Sequence, residues 1–240
     1  MKTTVLERRA TCFVGNSIKI TRENIPVFIK VFGQMGLYPS VNKGIGIKVT
    51  PNGIEQEDVI SLDLKYLDET VKMSVGPDRI DIVSKKAGET WISFIEFVMK
   101  ISDELRKNFS NDIIRLALCA SIRLKLDQKH AEEAYGKLFK SEDELPIEWQ
   151  LRKVIRTTMS SDDNKNEVTV NNVYNIYRND AIVNGENLSN IIKLDMDVNT
   201  IVGSDICSLY ILQKKFWDTS AKTIDDAISI YYSIFTDEKI

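Results

Sequence analysis

Two periods of hydrophobic and polar positions partition the chain: strict alternation, which marks half-buried strands, and recurrence every three to four residues, which marks amphipathic helices. Thr3 to Gly15 reads as a strand ending in a Gly-Asn-Ser turn. Ile25, Phe28, Ile29, Phe32 and Met35 fall at helical spacing, with Thr21 as the expected cap, Pro26 tolerated in an early turn, and Gly33 and Gly36 marking the end. Four strands follow, Gly44 to Thr50, Val59 to Tyr66, Thr70 to Val75 and Ile80 to Val83. Turns are expected at Pro51-Asn52-Gly53, Asp68-Glu69 and Gly76-Pro77-Asp78-Arg79, giving an antiparallel meander with one wet face. Glu89 to Asn108 is a long helix whose stripe includes Trp91, Phe94, Ile95, Val98 and Leu105.

The second half opens on the clearest strand, Asp112 to Leu126, with Ile114, Leu116, Leu118, Ala120, Ile122 and Leu124 on one face. Arg115, Ala117, Cys119, Ser121, Arg123 and Lys125 take the other. Asp127 is placed to cap a helix over Gln128 to Lys140, and Ser141 to Pro146 is an acidic loop. Trp149 to Ser160 has tolerable helix propensity, but Val154, Ile155, Thr157 and Thr158 favour a strand. An exposed turn over Ser160 to Asn166 leads to a strand over Val168 to Arg178, a turn at Asn184-Gly185, and a strand over Ile191 to Val198. Two closing helices are expected, Asp205 to Trp217 and Ile224 to Phe235, separated near Thr219-Ser220.

Each half thus reads as strand, helix, antiparallel meander, helix. The expected fold class is α+β: two pseudo-repeats, residues 1–110 and 111–240, in one compact unit, each a curved sheet packed on a long helix. Trp91 and Trp217 are expected to be buried under those sheets. Matching letters are few: Arg8-Arg9-Ala10-Thr11-Cys12 and Arg115-Leu116-Ala117-Leu118-Cys119 share an R-x-A-x-C pattern, in opposite phase of the surrounding alternation.

Composition narrows the class. Among 240 residues, 43% are hydrophobic and 28% charged, which excludes an overall disordered or collagenous chain. A net charge of −3 advertises neither nucleic acid nor membrane as partner. Residues 1–110 carry 16 basic and 14 acidic side chains and residues 111–240 carry 16 and 21, so only clustering on a face could build a basic surface. Lys2, Glu7, Arg8 and Arg9 leave no apolar run for a secretory signal, and no window is long and apolar enough to span a bilayer. The expectation is a cytoplasmic protein with no membrane partner.

Candidate chemistry is sparse. Cys12, Cys119 and Cys207 have neither disulfide nor zinc spacing and read as buried, inert thiols. The one histidine, His130, sits in the first turn of a polar helix face. There is no nucleophile elbow, Walker sequence or dinucleotide fingerprint, so no catalytic residue, metal or cofactor is assigned. The best carboxylate pair is Asp195 and Asp197: residues i and i+2 of a strand share a face roughly 6–7 Å apart, close enough to hold Mg²⁺ if further oxygens converge. Arg115, Arg123, Arg152 and Arg156, with Lys125, are candidates for the same polar face. The plain alternative is cross-strand ion pairing on a solvated surface; at least one of these arginines is expected beside the carboxylates.

The order strand, helix, four strands, helix resembles one repeat of the TATA-box-binding-protein-like fold, a likeness of topology alone. The chain is also similar to an uncharacterised, sporadically distributed family of bacterial proteins of similar length. The counterparts are the strand Ile113 to Arg123, the Leu194-Asp195-Met196-Asp197 strand, and the final helix with Phe216 and Phe235. Where that family has Arg-Tyr-x-Asn, this chain has Arg115-Leu116-Ala117-Leu118. The resemblance implies no activity; its patchy distribution implies a setting in mobile elements or antiviral defence. The expected function is a non-enzymatic interaction protein with a protein partner. The alternative is a nucleic-acid-binding or metal-dependent nuclease-like protein using the Asp195/Asp197 face.

Overall fold

The computed structural model describes residues 3–15, 18, 20, 21, 23–50, 53–109, 112–140, 144–183 and 186–236. It is mixed α+β with antiparallel strand pairing. In chain order the elements are β1 (Thr3–Val14), α1 (Ile25–Gly33), β2 (Tyr38–Thr50), β3 (Gly53–Lys65), β4 (Val71–Val75), β5 (Arg79–Ser84), α2 (Trp91–Phe109), β6 (Ile113–Lys125), α3 (Gln128–Phe139), β7 (Trp149–Ser160), β8 (Glu167–Val183), β9 (Glu186–Thr200) and α4 (Ile206–Thr236). The element order matches the sequence reading except at the end. Turns expected at Pro51-Asn52 and Asn184-Gly185, and the loop beginning at Ser141, lie outside the described residues, as does the Cys207 side chain.

The two closing helices are one. Thr219 and Ser220 lower helix propensity by only tenths of a kcal/mol each, and no Gly or Pro interrupts Ile206 to Thr236. Ser220, Ala221 and Ile224 are buried, so tertiary packing carries the helix through the weak point. Asp205 opens it, its carboxylate accepting the Ser208 N–H at 2.7 Å. Neither this helix nor any other described one is long and apolar enough to cross a membrane.

The chain divides into two compact units, Arg9–Ala117 with Val202–Ile211, and Met1–Arg8 with Leu118–Ile201 and Leu212–Ile240. In the first, the strand order is β2-β3-β4-β5-β1. Leu62, Leu64, Val71, Met73, Val75, Ile80 and Ile82 are buried on one side, together with Phe28 and Phe32 of α1 and Phe94, Val98 and Ile101 of α2. Asp63, Lys72, Ser74, Arg79 and Asp81 pair with one another on the other side. Gly36, at φ +79°, closes the turn after α1. Burial pushes the Cys12 thiol, 3.9 Å from Ser102 Oγ of α2, up to about 12, so this cysteine is the inert core residue expected. Trp91 is only partly buried: it is the first residue of α2, edge-on to Phe94 at 6.1 Å.

In the second unit the order is β6-β9-β8-β7. The even residues Leu118, Ala120, Ile122 and Leu124 of β6, and Ile192, Leu194, Met196 and Val198 of β9, form the buried side, as their alternation requires. Trp217 on α4 is fully buried. Tyr231 of α4 lies tilted beside Tyr174 of β8, ring centroids 6.3 Å apart, and Trp149 at the start of β7 packs edge-on against Phe139 of α3. Both helices therefore lie over the apolar side. Asp127 caps α3 as expected, accepting the His130 N–H at 2.9 Å.

Candidate functional site

The polar side of the second unit follows from register. β8 pairs with β9 so that Tyr177 faces Lys193, Asn175 faces Asp195, Val173 faces Asp197 and Asn171 faces Asn199. β7 continues these rows with Gln150, Arg152, Val154 and Arg156. On the other flank, β6 contributes Cys119 and Ser121 to the carboxylates and carries the exposed Arg123 on the same odd-numbered side. Asp195 and Asp197 thus share one face, as the alternation of Leu194, Met196 and Val198 demanded.

Their partners differ from those expected. Asp195 accepts the Ser121 hydroxyl at 2.6 Å and the Tyr177 hydroxyl at 2.9 Å, with Lys193 Nζ at 3.4 Å. Asp197 accepts Asn199 Nδ2 at 2.9 Å and lies 3.6 Å from the Cys119 thiol. None of the arginines bridges either carboxylate among the described residues. Burial, then the hydrogen bond and charge of Asp195, raise Tyr177, outweighing Lys193. Burial alone would lower Lys193, but its bond to Tyr177 and the charge of Asp195 outweigh it and hold the ammonium above the usual lysine value.

The arginines lie outside this cluster. Arg156 Nε donates to Asn171 Oδ1 at 3.0 Å, a neutral partner. Arg152 and Arg123 are exposed and have no ion pair or hydrogen bond with a described residue. Arg115 belongs to the first unit, its guanidinium 4.8 Å from the Phe13 ring centroid. The His130 ring contacts Asp127 at 2.8 Å. No group of three His, Cys, Asp or Glu side chains converges as a metal site among the described residues. The carboxylate pair therefore acts as an internal clamp of β6, β8 and β9, and Arg123 and Arg152 stand exposed on the flanking strands β6 and β7.

Sequence reasoning missed Ser121, Asn171, Asn175 and Tyr177. The alternation of β8 could have found the last three; Ser121 needed the β6–β9 pairing. One expectation follows for the clamp. Asp195→Asn with Asp197→Asn removes charge but leaves acceptors and shape, and partly exposed pairs contribute at most about 1 kcal/mol each. The double variant should lose less than about 2 kcal/mol in urea denaturation, with Mg²⁺ shifting the melting temperature of neither protein. A Mg²⁺-dependent rise confined to the native chain would reassign the pair as metal ligands. No protein-family model matches the chain, and no curated protein does.

Proposed function

We propose that the protein is a non-enzymatic binding module that grips a protein partner with the polar sheet face of its second unit, as an accessory in a bacterial defence or mobile-element system. The observation that supports this reading is the division of labour on that face. Asp195 and Asp197 are consumed by Ser121, Tyr177, Lys193 and Asn199, whereas Arg123 and Arg152 stand exposed without a carboxylate. An exposed guanidinium is a strong, planar donor for a partner carboxylate. Val154 and Val173 in the same rows add apolar contact that a protein partner uses and a phosphate backbone does not.

The architecture is taken as two duplicated halves with curved sheets. In both, the first strand neighbours the last of the meander, β1 beside β5 and β6 beside β9. The R-x-A-x-C letters do not align with this: Cys12 lies under α2, and Cys119 lies on the polar side beside Asp197.

A photo-crosslinking residue at Gln150, exposed on this face, tests the function; Lys222, exposed on α4, is the control position. Protein adducts should form from position 150, fall at least about tenfold with Arg152→Glu plus Arg156→Glu, and be absent from position 222. Adducts to nucleic acid alone would favour the nucleic-acid reading, and equal labelling from both positions would defeat the face.

A further inference from the structure

The binding reading above leaves open the form in which a partner arrives, and the outer edge of β7 narrows it. β7 ends the strand order of the second unit, and among the described residues nothing pairs with its outer side. The turn after it fixes which backbone groups face outward. Ser161 N–H donates to Asn166 C=O at 2.8 Å, and the ladder continues from Ser160 opposite Glu167 to Trp149 opposite Arg178 without a shift. Antiparallel pairing alternates, so the odd residues of β7 bond to β8 and the even ones, Gln150, Arg152, Val154, Arg156 and Thr158, turn N–H and C=O away from it.

The strand is exposed on both faces along its middle. Arg152, Lys153 and Arg156 are exposed, and Val154 and Ile155 are 46% and 39% exposed. Every residue from Arg152 to Thr158 is exposed, on the apolar side of the strand as on the polar one. Natural edges are protected by shortening, bulging, covering or charge; this one is 12 residues long and pairs with β8 without a shift, and its charges, Arg152, Lys153 and Arg156, exclude a basic strand while leaving the edge open to an acidic one.

We infer that β7 is a strand-addition site for an acidic, extended segment of a partner protein, of the pattern acid-x-aliphatic-x-acid. The inference deepens the proposed function and rests on it. An added strand pairs its own N–H and C=O with the outward groups of the even residues. On the polar face its acids lie opposite Arg152 and Arg156 and its aliphatic residue opposite Val154, where cross-strand neighbours interact most strongly. A second copy of this chain fits poorly: Trp149 to Ser160 contains no acid, and antiparallel self-pairing of the outward even residues about Val154 sets Arg152 against Arg156. A nucleic acid fits the cations but offers phosphate acceptors, not donors, to the outward carbonyls.

The test is fluorescence anisotropy with a labelled synthetic peptide built on Asp-Thr-Val-Thr-Glu, beside a composition-matched scramble and a single-stranded oligonucleotide of equal charge. Val154→Pro removes one outward N–H and no bond to β8, a position where an edge strand tolerates proline. Its fold is checked by circular dichroism. The native protein should bind the peptide at least about tenfold more tightly than the scramble, and both Val154→Pro and Arg152→Glu with Arg156→Glu should lose at least about tenfold. A peptide N-methylated at alternate residues should lose as much against the native chain, a measurement that needs no variant. Binding that survives Val154→Pro and N-methylation but fails with charge reversal overturns strand addition while leaving the polar face intact as a binding surface. Equal binding of scramble or oligonucleotide overturns the sequence pattern or the partner class, and no peptide binding overturns the inference outright.

Discussion

Trp217→Ala should destabilise the protein by about 3–5 kcal/mol in urea denaturation, the range for emptying a fully buried aromatic site. The indole has no solvent exposure, and its neighbour Phe216 meets it edge-on at 5.0 Å, so little can collapse into the space without disturbing a second ring. Trp217→Phe should cost far less than its volume suggests. The buried Nε1–H has no hydrogen-bond partner among the described residues, and leaving such a donor unpaired costs roughly 1–3 kcal/mol, which phenylalanine removes. Trp91→Ala, at a partly buried helix start, should cost roughly 1–2 kcal/mol. An alanine at 217 costing no more than the one at 91 would contradict the burial of α4 against its sheet.

Arg178→Met should be the most damaging polar substitution, at roughly 2–4 kcal/mol. The side chain is buried on the helix side of β8. Its Nη1 donates to the carbonyls of Pro146 and Ile147, the latter at 2.8 Å, and its Nη2 to Asn190 Oδ1 at 2.6 Å. Asn190 in turn donates to Gln128 of α3 at 3.1 Å. Methionine keeps the volume and leaves these acceptors unpaired. Lysine should rescue less than half of the loss, because three acceptors around one planar fork cannot be matched by a single ammonium. The segment held by Arg178 is the entry to β7, so partner binding at that strand should weaken with the fold. Full rescue by Arg178→Lys, measured by denaturation, would show that charge alone matters at this site.

Most of the fold was legible because it is written in short-range periodicity. β6 and β9 alternate cleanly, and the sides of Leu194 and Asp195 follow from that alone. β7 is legible from its β-branched residues, and its boundaries agree, yet its place at an edge is not. Val154 and Ile155 are adjacent, so the strand shows no alternation; that is how a strand solvated on both faces looks. The partners of Asp195 were not legible. Spacing places a carboxylate on a face, but which residue of β6 or β8 arrives beside it depends on register set by distant turns. The break expected in α4 rests on Thr219 and Ser220, whose weak local preference yields to burial of Ser220 and Ile224. Trp91 is less buried than expected because helical spacing gives the stripe and not where along the stripe the cover ends.

The alternation of outward and inward backbone groups along β7 has a consequence for amide hydrogen exchange. Lys153, Ile155 and Thr157 give their N–H groups to β8, whereas those of Arg152, Val154 and Arg156 meet solvent. One strand therefore carries two interleaved sets of amides: a slow set that reports opening of the hairpin and a fast set that reports the edge itself. Deuterium uptake resolved to single residues would read every second position as a vacancy sensor. When the edge is covered, the fast set falls toward the rate of the slow one while the slow set hardly changes. Occupancy is then counted without a label or a variant, whatever segment has docked.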